Sequence, residues 1–184
     1  MSKIPPNAKR VFKGEIFEIY QWEQKMFDDS TETFEMAKRP DTVQVMATRG
    51  GKLLIAEEEQ PHHKRGIGLL GGRIDEGEEP LAAARRELLE EAGLTTDDWE
   101  LWRTYDPAIK LDWSIYFYIA RNCRKVQEPK LEPGEKITLK EVSFEEMLGI
   151  FMKETYWQGQ FTCDLLRLKL EGRLDDLKTK LFPK

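Results

Sequence analysis

The residues best suited to chemistry in this 184-residue chain are three glutamates, Glu87, Glu90 and Glu91, which directly follow Arg86. Side chains at i, i+3 and i+4 lie on one face of a helix. Like charges at this spacing repel one another by about 0.2–0.5 kcal/mol per pair. A bound cation relieves this repulsion, and oxygen ligands on one rigid helix suit Mg²⁺ or Mn²⁺. On spacing alone, a solvated surface helix is the other interpretation.

The flanking residues predict where this helix begins and ends. Pro80 suits a first turn because its φ is fixed and it lacks an N–H group. Gly93 suits the residue of positive φ that closes a helix. A separate apolar face is expected to pack on the core, and it comprises Leu81, Ala84, Leu88 and Ala92.

The whole string from residue 72 to residue 94 reads Gly-x5-Glu-x7-Arg-Glu-Leu-x-Glu-Glu-x-Gly-Leu, where x is any residue. It matches the Nudix box at each fixed position, so the chain resembles a Nudix hydrolase. The resemblance implies that Glu87, Glu90 and Glu91 hold one or more divalent ions. It also implies an α/β/α sandwich with a mixed central sheet, and cleavage of a nucleoside diphosphate linked to another group by water attack on phosphorus.

The same resemblance implies structural roles for the rest of the box. Arg86 would pair with Glu78 and fix the loop before the helix, which makes it an orienting residue of the catalytic site. Gly72 and Gly93 would be backbone positions of the box.

Composition is compatible with such an enzyme. A chain with 40% hydrophobic and 34% charged residues is typical of one globular domain. The net charge of −5 argues against broad nucleic-acid binding, which needs a basic surface. The sequence has no apolar stretch of about 18 residues and no signal-peptide pattern, so we expect no membrane contact. Cys123 and Cys163 lack metal-ligand spacing, as expected of reduced thiols in a cytoplasmic protein.

Local patterns predict an α/β fold without repeats or a long linker. Residues 14–25 and 31–38 are expected to form an N-terminal antiparallel hairpin (residues 1–40), which precedes a Nudix domain (residues 41–184). Further strands are predicted at 42–47, 52–56, 99–105, 113–120 and 136–142. Residues 57–71 and 127–136 are predicted to be loops. The capping-box pattern Ser143-x-x-Glu146 predicts a helix to about residue 153, and another helix is expected from about 159 to 172 with a ragged charged tail.

The stretch before the box resembles the ADP-ribose pyrophosphatase branch of the family. This branch resemblance implies a homodimer in which N-terminal strands are exchanged. It implies that an adenine stacks on Phe34 and on Ile16 or Phe17, and that Arg39 lies near a phosphate. Burial in the core or an interface is the alternative for these aromatic side chains.

The branch resemblance extends to three further positions. Gln60, Gly71 and Gly72 fall where the branch contacts its substrate. Three features depart from the branch. His62 stands where an arginine is common, and Leu70-Gly71-Gly72 replaces a Pro-Ala-Gly turn. Pro107 lies near, but not at, the position past the box where the branch tends to have a proline.

The hydrolysis needs a general base, and a carboxylate beside a metal can accept a proton near neutral pH. The sequence leaves two places open. One is the box, through Glu87 or Glu90, and the other is the later acidic loop, through Glu132 or Glu135. A solvated acidic loop without a catalytic role is the alternative for the second pair.

The sequence therefore predicts a Mg²⁺-dependent hydrolase (Mn²⁺ is possible as well) whose substrate is a nucleoside diphosphate derivative. ADP-ribose, split into AMP and ribose 5-phosphate, is the expected substrate. The alternatives are another nucleoside diphosphate sugar or a dinucleotide, and then a Nudix-fold ligand sensor without turnover.

Overall fold

The computed structural model describes residues 2–61, 63–153 and 159–183. The strands in chain order are β1 (Lys9–Lys13), β2 (Glu18–Lys25), β3 (Thr31–Lys38), β4 (Thr42–Arg49), β5 (Lys52–Gln60), β6 (His63–Gly68), β7 (Leu94–Thr95), β8 (Asp98–Tyr105), β9 (Leu111–Asp112), β10 (Ile115–Arg121), β11 (Arg124–Lys125) and β12 (Lys136–Val142). The helices are α1 (Pro80–Ala92), α2 (Phe144–Phe151), α3 (Gly159–Leu170) and α4 (Leu174–Leu181).

The central sheet has the strand order β12-β5-β4-β10-β8, and β6 pairs with residues 56–60 of β5. It is mixed because β10 runs parallel to β4 and antiparallel to β8. A second sheet has the order β1-β2-β3-β9, in which β2 and β3 form the predicted N-terminal antiparallel hairpin. The N-terminal sheet is joined to the rest of the chain because β9 pairs with the end of β3.

The two faces of the central sheet are covered by different helices. Side chains that alternate along β4 and β5 pack against α1 on one face, where Ala84 and Leu88 are fully buried. On the other face, α2, α3 and α4 enclose a cluster that contains Phe117, Phe151 and Phe161. This arrangement confirms the predicted α/β/α sandwich. Among the described residues, no helix combines the length and the apolar character needed to span a membrane.

The prediction of a loop over residues 57–71 was wrong, because β5 continues to Gln60 and β6 covers 63–68. Consecutive glutamates disfavour a strand by propensity. Here the neighbouring strand compensates, since Lys140 pairs with Glu57 and Lys136 Nζ lies 3.4 Å from Glu59 Oε2. These partners are about 80 residues away in sequence, so the local pattern gave no sign of them.

Both ends of the chain carry more structure than predicted. The hairpin's first strand begins at Glu18, and residues 9–13 form a separate strand, β1. The expected ragged tail contains α4, whose Leu177 and Leu181 are buried. Arg121 fixes this helix by donating to the Lys180 carbonyl. The capping box at Ser143 and Glu146 is confirmed, and both of its hydrogen bonds are present.

Candidate active site

Helix α1 carries the three glutamates and ends at a tightly packed glycine. Gly93 has φ 66°, in the left-handed region, and its N–H donates to the Leu89 carbonyl. A Cβ at Gly93 would collide with the backbone carbonyl of Gln127. A glycine is therefore required here, both to close the helix and to let the following loop pass close to it.

Arg86 is the centre of the hydrogen-bond network. Its Nε and Nη2 donate to the two carboxylate oxygens of Glu78 at 3.1 and 3.0 Å. Nη1 donates to Glu87 Oε1 at 2.8 Å and to Glu90 Oε2 at 3.1 Å. Nη2 also donates to the carbonyl of Arg73 at 2.8 Å, which holds the loop before α1 against the helix. The pair expected between Arg86 and Glu78 is thus present.

The turn at Gly71 and Gly72 brings backbone atoms against the carboxylates. The Gly71 N–H donates to Glu91 Oε2 at 2.8 Å. A Cβ at Gly72 would lie 2.5 Å from Glu87 Oε1, so only a glycine lets that carboxylate approach the turn. Val43 N–H donates to the Gly72 carbonyl at 2.9 Å and fixes the turn to β4.

The acidic loop after β11 runs past the C-terminal end of α1. Lys130 N–H donates to the Glu90 carbonyl at 2.7 Å. Further along, Glu135 Oε2 accepts from the backbone N–H of Glu132 at 3.1 Å, which closes a short turn. Glu132 is exposed, whereas Glu135 is half-buried.

Burial and repulsion from neighbouring carboxylates raise the pKa values of Glu87 and Glu91. Burial is the main reason why the pKa of Glu87 rises to about 7, although Arg86 opposes the shift. Burial also raises the pKa of Glu91 well above its usual range, and the charges of Glu87, Glu135 and Glu58 add to that rise. In contrast, hydrogen bonds from Arg86 lower the pKa of Glu78. The carboxylates of the loop and the helix therefore share one electrostatic environment.

A cleft of about 730 Å³ lies between the N-terminal sheet and the loop before α1. Its lining includes two tyrosines and charges of both signs: Arg10, Lys13, Lys38 and Arg39, with Glu15, Glu18, Asp41, Asp75, Glu76 and Asp112, and Tyr20 and Tyr116. Ile74 N–H donates to the Asp41 carbonyl at 2.9 Å, next to the bond between Val43 and Gly72. The cleft therefore begins beside the turn that contacts the box carboxylates.

Arg39 is the most distinctive residue of this cleft. Its guanidinium carbon lies 4.6 Å from the ring centroid of Trp113 and 6.0 Å from that of Phe17. Its buried Nε has no hydrogen-bond partner among the described residues. Burial lowers the pKa of Arg39, and the charge of Arg73 lowers it further. A partly buried cation without a carboxylate partner in the described part of the chain suits an anionic ligand.

The family model for the NUDIX domain matches residues 38–165, which is more than half of the chain. The chain belongs to the Nudix family. This Nudix chain is 23% identical over 174 residues to an ADP-ribose pyrophosphatase from Bacillus subtilis (strain 168), covering 92% of this chain and 94% of that protein. It is also 23% identical over 172 residues to a methanol dehydrogenase activator from Bacillus methanolicus, with 91% and 92% covered.

The fold of this Nudix hydrolase is also that of a solved crystal structure described as an ADP compounds hydrolase. The TM-score is 0.72 at 20% sequence identity, and the match covers 91% of this chain and 95% of the other.

The donor chemistry of the Nudix box fits a divalent cation, since hard divalent ions prefer carboxylate oxygens. Arg86 engages one oxygen of Glu87 and one of Glu90, while Gly71 engages one oxygen of Glu91. In the part of the chain that the structure describes, no three His, Cys, Asp or Glu side chains already have the geometry of a metal site. Glu87 and Glu90 would hold an ion through the oxygens that Arg86 does not engage.

The remaining predicted substrate residues are dispersed. Phe34 lies 5.6 Å from Trp22 between ring centroids, and Lys110 Nζ is 3.4 Å above its ring. Gln60 donates to Glu58 on the same strand. Ile16 lines the cleft, and Phe17 contacts it through Arg39. His62 lies outside the described residues, as do the side chains of residues 63–65.

Sequence reasoning missed three residues of this region: Glu58, Arg73 and Trp113. Arg73 contacts Arg86 and Trp113 contacts Arg39, while the charge of Glu58 acts on Glu91. The members of each pair are 13 or more residues apart in sequence. The one available local signal was the run Glu57-Glu58-Glu59, which breaks the apolar pattern of β5 just before the loop into the box.

Proposed function

We propose that this Nudix hydrolase cleaves ADP-ribose into AMP and ribose 5-phosphate, using Mg²⁺ (or Mn²⁺) held by Glu87, Glu90 and Glu91. The observation that carries the proposal is the contact of Glu87 and Glu91 with the turn at Gly71 and Gly72, beside a cleft where Arg39 Nε has no hydrogen-bond partner among the described residues. When bound, a divalent ion supplies charge neutralisation of the pyrophosphate and acidifies the attacking water.

The chain's own residues would perform the other tasks. Arg86 is a positioning residue, because it donates to Glu87 and Glu90 and also to the carbonyl of Arg73 in the loop before α1. Arg39 would bind a substrate phosphate, because its guanidinium is partly desolvated and has no described carboxylate partner. Phe17 and Trp113 fix this guanidinium from their ring faces.

Glu135 is our candidate for the general base. It lies close enough to the box for its charge to raise the pKa values of Glu87 and Glu91. The backbone N–H of Glu132 donates to Glu135 Oε2 and so orients this carboxylate. Glu87 and Glu90 remain the alternatives within the box.

ADP-ribose is the proposed substrate because one relative of almost equal length is named an ADP-ribose pyrophosphatase. A second relative, equally similar, is named an activator of methanol dehydrogenase, so activation of another enzyme is the second candidate function. Other nucleoside diphosphate sugars and dinucleotides fit the same carboxylates with a different pocket for the base or sugar.

The test is release of the nucleoside monophosphate from a substrate panel in Mg²⁺ and in EDTA. The panel contains ADP-ribose, ADP-glucose, GDP-mannose, NADH, a diadenosine polyphosphate and an oxidised nucleoside triphosphate. We expect metal-dependent cleavage with the highest kcat/KM for ADP-ribose. Glu90→Gln and Glu91→Gln should each lower turnover by about two orders of magnitude or more, as expected when electrostatic stabilisation of the transition state is lost.

Glu145→Gln is the matched control, since it removes the same charge from an exposed position on α2. Preferred cleavage of another panel member would keep the reaction and replace the substrate. Binding of ADP-ribose without turnover of any compound would instead favour the sensor or activator function. Full activity of Glu91→Gln would refute the assignment of the metal ligands.

A further inference from the structure

Strand β5 carries three consecutive glutamates, and its alternation sends them to two different faces. Leu54 and Ala56 belong to the core cluster that packs on α1. Glu58 is the next residue in this series, so its side chain lies on the face that α1 covers. Glu57 and Glu59 lie on the other face.

The pairing of β5 with β12 extends this face toward the acidic loop. Ala56 pairs with Leu139, and Glu58 pairs with Ile137. Both β12 residues pack on the same cluster as Ala84 and Leu88 of α1. Glu135 lies directly before β12, after the turn that leads into Lys136. Glu58 and Glu135 both lie close enough to Glu91 for their charges to raise its pKa.

The three glutamates of β5 differ in their partners. Glu57 and Glu59 pair with Lys140 and Lys136. Glu58 forms no ion pair with any described lysine or arginine, and its Oε1 accepts a hydrogen bond from the amide Nε2 of Gln60. Among the described residues, Glu58 is a half-buried carboxylate held by a neutral amide, so it needs a positive charge more than its two neighbours do.

We propose that Glu58 is an additional carboxylate ligand of the divalent-metal site, so that this site takes oxygens from the central sheet as well as from α1. Gln60 is then a positioning residue that orients Glu58. This inference rests on the proposed function, because it extends the same metal site. The effect of the Glu58 charge on Glu91, described above, supports the proximity of the two carboxylates.

The proposal changes the role expected for Gln60. One of the two N–H donors of its amide is engaged by Glu58, so Gln60 acts on the metal site through that hydrogen bond. The proposal also gives a role to the acidic residue that follows Leu54 and Ala56 on the α1-covered face.

The experiment is a titration of the metal-free, full-length protein with Mn²⁺, with free Mn²⁺ measured by electron paramagnetic resonance. We expect Glu58→Gln to weaken Mn²⁺ binding by about tenfold or more, or to remove one ion from the stoichiometry, an effect at least as large as that of losing an outer-shell partner. Gln60→Met should weaken binding in the same direction, because Glu58 loses its orienting donor. Glu59→Gln is the matched control and should bind within about twofold of the wild type, since it faces away from α1.

Thermal unfolding provides a second measurement that does not depend on activity. In EDTA, Glu58→Gln should unfold at a higher temperature than the wild type because one repelling charge is gone. The rise in unfolding temperature caused by Mn²⁺ should be smaller in Glu58→Gln than in the wild type. Glu59→Gln should show neither change.

The outcomes separate this inference from the proposed function. Wild-type affinity and stoichiometry in both Glu58→Gln and Gln60→Met would overturn the role of Glu58. If Glu91→Gln loses Mn²⁺ binding in the same experiment, the assignment of the main metal site still holds. Absence of Mn²⁺ binding by the wild type would overturn both proposals. If Glu58→Gln does not fold, Gln60→Met decides the question alone.

Discussion

Arg86 shows how a single side chain can hold several carboxylates together before any metal binds. Its five hydrogen bonds join Glu78, Glu87, Glu90 and the carbonyl of Arg73. A planar guanidinium can serve acceptors in several directions, whereas a lysine ammonium is a single point charge. The arginine therefore balances part of the repulsion and also fixes the loop that ends at α1.

The balance is incomplete at Glu87, and this predicts a pH dependence of stability. Because the folded protein raises the Glu87 pKa from 4.5 to about 7, folding favours the protonated form. The contribution of Glu87 to the stability of the fold is fully present below about pH 4.5 and is lost as the pH rises through about 7. A shift of this size corresponds to a change on the order of 3 kcal/mol in the free energy of unfolding. We expect urea unfolding in EDTA to give a free-energy difference between wild type and Glu87→Gln that falls from roughly pH 5 to pH 8.

A pH-independent difference between these two proteins would contradict the raised pKa. Glu145→Gln is the comparison, because Lys178 and the helix backbone lower the pKa of Glu145 and it should not reproduce this trend. Saturating Mg²⁺ should remove the loss of stability at high pH, since the ion stabilises the charged carboxylates.

At this scale the sequence predicted residues whose partners are local. Glu87, Glu90 and Glu91 share a face because of helical spacing, and Glu78 reaches Arg86 across eight residues. Glu58 could not be predicted in the same way, because its proximity to Glu91 depends on the packing of α1 on the central sheet. Arg39 was placed near a phosphate by resemblance alone, and its cation–π contacts became visible only in the fold.

The turn at Gly71 accepts only a glycine, both for its backbone conformation and for lack of space. Gly71 has φ +140°, and a Cβ there would collide with the carbonyl of Val43. We expect Gly71→Ala to lower the free energy of unfolding by about 1–3 kcal/mol or more, because strain and steric conflict add. It should also lower turnover, since the Gly71 N–H that binds Glu91 would move. Urea unfolding and the ADP-ribose assay measure the two effects.

Gly51→Ala is the control for conformational strain alone. Gly51 also has a positive φ, 77°, but a Cβ there would meet no atom within 4 Å. It should destabilise the protein less than Gly71→Ala and leave turnover unchanged. Equal effects of the two substitutions on both measurements would show that the contact with Val43 is unimportant.

The elements that the sequence mispredicted share a physical cause. The charged end of β5 is a strand because lysines of β12 pair with its glutamates. Helix α4 looked like a polar tail, yet its Leu177 and Leu181 fill the core on the α2–α3 side. In both cases, charge dominates the local composition, and a distant neighbour decides the structure. Strands with strong apolar patterns, such as β4 and β10, were predicted correctly.

For the whole molecule, the N-terminal sheet is the part that one chain leaves least covered. All residues of β1 are exposed, including Val11 and Phe12. Ile16 and Phe17 are also exposed and lie beside the cleft at Arg39. Adjacent exposed apolar side chains on an edge strand are typical of an interaction surface. We propose that a second copy of the chain covers this sheet, as the branch resemblance implied.

We therefore expect light scattering after size exclusion to give twice the 21.6-kDa mass of the chain. Val11→Asp and Phe12→Asp should shift the protein to the monomer, because a charge on this strand would be buried at the interface without a partner. Leu170→Asp is the control, since Leu170 is 87% exposed on α3, far from this sheet in sequence. It should remain dimeric.

Catalytic activity should fall when the dimer dissociates if the partner's N-terminal sheet completes the cleft. Arg10 and Lys13 of β1 line this cleft, so displacement of β1 would alter the cations around the substrate. We expect the monomeric variants to lose affinity for ADP-ribose, as a raised KM, more than kcat, because the box carboxylates lie on a different element. A wild-type monomer at micromolar concentration would contradict the dimer. A fully active monomeric variant would show that one chain's cleft is sufficient for the reaction.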